Sequence, residues 1–152
     1  MTDVEFTRAL ERGEIAARDF HHASHLHVAW VYLTESSSFT EAATKMSNTL
    51  RNIAAAAGKL EKYHETITLF WIYLLAGARL VANNRNLEQI VQQHPQLLEK
   101  NFPLVYYSSE LLFSDQARRS WIGPDLKPLS VDAITFCSSS SSGDTPDRPL
   151  SR

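Results

Sequence analysis

The stretch DFHHASHLHVAW, residues 19–30, sets His21, His22, His25 and His27 close together, and KYHETITLFW, residues 62–71, adds His64 at the head of an apolar run. Imidazole is the side chain whose ordinary pKa lies nearest neutrality, and its neutral form takes a proton or ligates a metal. His22 and His25 have i, i+3 spacing, which puts both on one helix face. With His64 they make a candidate three-histidine site with an open position, whose cofactor would be a divalent transition metal. The pattern lacks the glutamate of H-E-x-x-H and the paired E-x-x-H motifs of di-iron bundles. A metal-free alternative uses His64 and Glu65 as catalytic acid–base groups, with Tyr63 and Thr68 beside them. In a third, plainer alternative the histidines are core residues whose ring nitrogens bond the backbone or tyrosine hydroxyls. His21, His27 and His94 are read as solvated surface residues.

Helical periodicity places these rings. With Leu26 as zero, Ala29, Trp30 and Leu33 fall within about 60° and His22 about 40° away, while His25 sits about 100° off at the stripe's edge. With His64 as zero, Leu60, Ile67, Trp71, Leu74, Leu75 and Ala78 fall within about 80°, Thr68 about 40° away and Glu65 about 100° away on the flank. His22 and His64 therefore belong to apolar stripes that face one core, where a polar group without a partner costs roughly 1–3 kcal/mol. Each lies near the N-terminal end of its helix. The two rings meet only if those helices run parallel or cross there. Burial and the helix N-terminus both disfavour imidazolium, so both rings are expected to be neutral.

The elements that must position them read as helices. Thr2 with Glu5 and Ser38 with Glu41 have capping-box spacing, as does Asn86 with Gln89. The first helix runs from Thr2 to Arg12 and stops at Gly13. The second runs from an Asp19 cap to about Glu35, and the third ends at Gly58. The fourth runs from about Lys59 to Ala82, with a left-handed cap at Asn83 or Asn84. Pro95 ends the fifth, Pro103 opens a sixth, and Ser114 caps a short seventh closed by Gly123 and Pro124. Beyond it an extended segment could lay Leu126, Leu129, Ile134 and Phe136 against the bundle. No segment alternates with the period of a strand. The expected fold is all-α: a compact bundle of four main helices with short terminal helices, residues 1–137, and a disordered serine-rich tail, residues 138–152.

Trp30, Thr68, Trp71, Tyr107 and Arg118 are the candidate ligand-binding residues. Phe70, Tyr73 and Tyr106 could join the aromatic residues in walling a pocket, the alternative being core filling. The segment ARRSWIGPDLKPL is either a lid whose arginine grips an anion or a plain C-terminal clasp. The YYSSE run could supply hydroxyl partners to the buried imidazoles.

Composition narrows the function class. A formal net charge of -2 gives no electrostatic footprint for nucleic acid or an anionic membrane. The apolar run ITLFWIYLLAGA, residues 67–78, is too short for a membrane-spanning helix. Cys137 is the single cysteine, so no disulfide framework forms within the monomer. With no signal-peptide pattern at the start, the expected location is cytoplasmic.

The blocks FHHASHLHVAWVYL, KYHETITLFW and ARRSWIGPDLKPL resemble a family of small all-α proteins that carry FHHxxHLxVAW, KYHETIT and ARxxWxxPDLxPL. The resemblance covers most of residues 13–129. It brings no assigned reaction, and implies that His22, His25, His64 and Glu65 are signature positions. The function expected is that of an enzyme or binding protein with a histidine-centred core site for a small organic molecule. The rival is a non-catalytic interaction module or accessory subunit, a homodimer in the simplest case, with structural histidines.

Overall fold

The structure, a computed structural model, describes residues 1–81 and 85–129. Among these residues it is all-α, with seven helices: α1 (Asp3–Glu11), α2 (His22–Glu35), α3 (Phe39–Ala56), α4 (Glu65–Val81), α5 (Leu87–Gln93), α6 (Ser109–Leu112) and α7 (Asp115–Arg119). No described helix is long and apolar enough to cross a membrane. Asn83, Asn84, Ile134, Phe136 and the serine-rich tail lie outside the described residues.

Local side-chain chemistry sets most helix starts. Thr2 Oγ1 accepts the Glu5 N–H at 3.0 Å and the Glu5 carboxylate accepts the Thr2 N–H at 2.8 Å, a full capping box. Asn86 and Gln89 form another at 2.8 and 2.9 Å. Ser38 accepts from the Glu41 N–H at 3.1 Å, but the Glu41 carboxylate reaches past it to the N–H and hydroxyl of Ser37. Gly13 and Gly58 take positive φ just beyond α1 and α3, a conformation that strains any residue with a Cβ.

Three starts differ from expectation because tertiary contacts override propensity. Helix α2 begins at His22, not after Asp19, which instead closes a 3₁₀ turn over Ala17–Asp19. Phe20 is held in extended backbone while its ring stacks on His25 (centroids 4.3 Å apart) and lies 6.4 Å from Phe6. Helix α4 begins at Glu65 rather than Lys59; Leu60–Lys62 form a 3₁₀ turn and Tyr63 is extended. Pro103 heads a 3₁₀ turn rather than an α-helix, and α6 starts at Ser109, because the Asp125 carboxylate takes the Ser108 N–H at 2.7 Å and the Ser108 hydroxyl caps α6.

Helices α2, α3 and α4 pack pairwise against one another, α1 lies on α2 and α3, and α7 packs on α4. Their shared core includes Leu26, Tyr32, Phe70, Ile72, Leu75, Tyr106 and Tyr107, all essentially solvent-free. Helices α3 and α4 form an antiparallel hairpin: Arg51 meets Glu65 at one end and Phe39 meets Tyr73 at the other. Helix α2 runs parallel to α4, since His22 packs on Trp71 while Trp30 and Thr34 reach Arg79 further along both helices.

The segment after α7 returns across the start of α4 as a clasp. The buried Thr66 hydroxyl donates to the Ser120 carbonyl at 2.8 Å and accepts the Ile122 N–H at 3.1 Å. Tyr107 donates its hydroxyl hydrogen to the Ile122 carbonyl, and the Leu126 N–H donates to the Tyr106 carbonyl at 2.8 Å. Thr66→Val keeps the shape of the side chain and removes both of its bonds. It should cost about 2 kcal/mol in urea denaturation, and amide exchange should accelerate at Ile122. Unchanged exchange at Ile122 would show that Thr66 does not hold the clasp.

Candidate functional site

The histidines are the first candidates, and backbone groups claim both core-facing rings. His64 is the N-cap of α4: its Nδ1 accepts the Ile67 N–H at 3.1 Å. Nδ1 is therefore unprotonated, and Nε2–H donates to the Leu112 carbonyl at 2.6 Å. Both nitrogens are occupied, so none faces a substrate or an ion. Burial is the main cause that holds the His64 pKa below its ordinary value, with the charge of Arg118 adding to it; the Leu112 bond acts the other way. His22 Nε2 donates to the Leu97 carbonyl at 2.9 Å, and its ring meets the Trp71 ring edge-on at 4.5 Å. Burial lowers its pKa too.

The parallel arrangement of α2 and α4 meets one condition for the rings to converge, but the register does not. His22 packs against Trp71, two helical turns beyond His64, or about 10 Å along the α4 axis. The ring of His25 lies 6.4 Å from that of His22 and stacks on Phe20. Among the described residues, no group of three His, Cys, Asp or Glu side chains is placed to hold a metal ion. His27 Nδ1 lies 2.7 Å from the Asp3 carboxylate, tying α2 to α1.

The candidate ligand-binding residues are also engaged elsewhere. Thr68 bonds the His64 carbonyl within its own helix at 2.9 Å. Trp71 and Tyr107 are core residues, 4% and 0% exposed. Trp30 lies under the Arg79 guanidinium, 4.9 Å from the ring centre. Arg118 donates to the Glu61 carbonyl at 2.8 Å, so this arginine fixes the loop before α4 rather than facing a lid opening. The YYSSE run serves the clasp and the α6 cap, through Tyr107 and Ser108.

Glu65 is the predicted residue that does line a cavity. It is the first residue of α4, and Leu69 and Tyr73 follow it at i+4 and i+8 on the same flank. Facing them from α3 are Thr40, Ala43, Thr44, Ser47, Asn48 and Arg51, again at helical spacing, and the space between holds about 560 Å³. That lies within the usual range for small-molecule sites. One end is polar. Tyr63 donates its hydroxyl hydrogen to Glu65 Oε1, Arg51 Nη2 stands 3.4 Å from the same oxygen, and Ser47 Oγ is 3.4 Å from Oε2. The other end is aromatic, with Phe39 edge-on to Tyr73 at 6.1 Å. Trp121, from the clasp that Thr66 holds at the start of α4, also lines the cavity. Burial, and then the Glu65 carboxylate, raise the Tyr63 pKa, so this hydroxyl stays protonated and keeps donating.

Sequence reading placed Glu65 and Tyr63 near one another but missed Arg51, Ser47, Phe39 and Trp121. The α3 stripe from Thr40 to Arg51 was the available signal: a polar line along a helix whose other face is apolar. Another cavity, about 500 Å³ between α1, α2 and α3, is lined by charged groups that already have partners. Arg8 bridges Glu11 and Glu35, and Tyr32 bonds both Glu11 (2.6 Å) and Thr49 (2.7 Å). Compared with known families, curated proteins and solved structures, the chain matches none.

The half-buried imidazoles make stability fall in acid. Burial, aided by the neighbouring His22, lowers the His25 pKa to about 4. An unfolded histidine titrates near 6.5, so the unfolded state binds the proton first. The His25 contribution is complete above roughly pH 6.5 and fades as pH falls toward 4, a loss on the order of 3 kcal/mol. Denaturation midpoints measured across that window should fall less steeply for His25→Phe than for the native chain. Parallel slopes would show that His25 titrates alike in both states.

Proposed function

We propose that this chain is a small-molecule binding protein: its four longer helices form a bundle, and its site is the α3–α4 cavity headed by Glu65. The supporting observation is a single one. A carboxylate only 16% exposed ends an apolar-walled cavity, and among the described residues its Oε2 has a single, 3.4 Å contact, with Ser47. A half-buried carboxylate with acceptor capacity to spare favours a ligand that brings a hydrogen-bond donor. Leu69, Phe39, Tyr73 and Trp121 offer that ligand apolar surface. Glu65 acts here as a binding group. His64 positions it by capping the helix that Glu65 begins. The divalent-metal version is not carried into this reading, because both His64 nitrogens are taken by the backbone. The family resemblance fits it in one respect: KYHETIT contains the Tyr63, His64 and Glu65 that build the polar end.

One observation favours the rival interaction module. Phe39 and Trp121, both lining the cavity, are 40% and 43% exposed, and a second copy could cover them as a homodimer. Light scattering separates the two readings, since the binding reading expects a monomer whose cavity is open.

Fragment screening by protein-observed NMR tests the site. Aromatic fragments carrying an amine or amide should shift the amide signals of Leu69 and Tyr73. Ala43→Leu, which fills the cavity from α3, should weaken their binding at least about tenfold, or about 1.4 kcal/mol, while leaving the fold intact. Shifts confined to other helices, or binding indifferent to Ala43→Leu, would refute the reading.

A further inference from the structure

The polar end of the cavity holds two opposite charges side by side, and that limits what can dock there. Glu65 Oε1 accepts from Tyr63 and faces Arg51 Nη2 at 3.4 Å, and the same guanidinium lies over the Tyr63 ring, 5.3 Å from its centre. Tyr63 therefore holds both charged groups in place, one through its hydroxyl and one through its ring. The pair itself is loose. At 3.4 Å it is longer than a good charged hydrogen bond, and Arg51 is 48% exposed. A ligand can therefore straddle it at little cost.

A bare ammonium at Glu65 would meet the charge of Arg51 a few ångströms away. A bare carboxylate at Arg51 would meet Glu65 in the same way. A molecule with both groups on one carbon atom satisfies the two at once: Glu65 Oε2 has acceptor capacity beyond Ser47, and a guanidinium has five N–H donors. Beyond this head, Leu69, Tyr73, Phe39 and Trp121 line the apolar length of the cavity. Resting on the cavity reading above, we propose that the ligand is a zwitterion, with an ammonium and a carboxylate on one carbon atom that is joined to a flat apolar body. The ammonium binds Glu65, the carboxylate binds Arg51, and the body lies along the apolar wall that Leu69 and Trp121 help to form.

The test uses the full chain and four probes that share one ring system: tryptophan, tryptamine, indole-3-propionate and indole. Binding is followed through the amide signals of Leu69 and Tyr73. Tryptophan should bind at least about tenfold more tightly than either singly charged probe, a margin of about 1.4 kcal/mol. Glu65→Gln should erase its advantage over indole-3-propionate, and Arg51→Met its advantage over tryptamine. Tryptamine or indole-3-propionate binding as well as tryptophan overturns the zwitterion, as does indole matching all three; in each case the cavity itself stands. If none of the four shifts Leu69 or Tyr73, the cavity reading fails as well. The native-chain comparison needs no variant, so a misfolded Arg51→Met leaves the inference open to refutation.

Discussion

Three consecutive side chains at the start of α4 each meet a different part of the molecule, and the need to satisfy them in a mostly buried place organises the rest. His64 caps the helix and donates to the Leu112 carbonyl before α7. Glu65 turns toward α3, where Tyr63, Ser47 and Arg51 receive it. Thr66, on the third side, ties down the backbone at Ser120 and Ile122. Buried polar groups are costly unless bonded, so each contact fixes where a distant segment lies. The helix, the clasp and the cavity's polar end thus share one anchor.

This division of labour explains why the most conspicuous chemical feature of the sequence is not where the cavity lies. The imidazoles of His22 and His64 need partners, and backbone carbonyls of Leu97 and Leu112 supply them. Leu97 lies in the 3₁₀ turn Pro95–Leu98 and Leu112 is the last residue of α6, places where backbone acceptors are left over. The histidines in this way fasten the segment that holds Leu97 and Leu112 to α2 and α4. Glu65 has no such backbone partner among the described residues, and its carboxylate lines the groove between α3 and α4.

Much of this was legible in the sequence wherever the cause was local. The capping pairs Thr2–Glu5 and Asn86–Gln89 form as their spacing requires, and Ser38 caps α3. The wheel placed His22 and His64 toward the interior and Glu65 on a flank, and that is where their contacts lie. What depends on packing between elements was not legible. Whether His22 meets His64 turns on the sliding register of α2 against α4, which no local pattern encodes. Phe20 delays the start of α2 because its ring has a stacking partner in three dimensions. Arg51 joins Glu65 only because the 3₁₀ turn at Leu60–Lys62 folds α4 back along α3. Trp121 reaches the cavity only through the clasp that Thr66 holds.

The protonation of His64 reports most directly on whether its ring is a structural anchor. With imidazole nitrogens resolved by long-range ¹H–¹⁵N correlation in the native chain, the ring should be neutral at pH 7, with the proton on Nε2. Its titration should lie below that of an exposed histidine. An Nδ1–H tautomer, or an imidazolium at that pH, would mean that the ring does not cap α4. The anchor on which the cavity depends would then be gone.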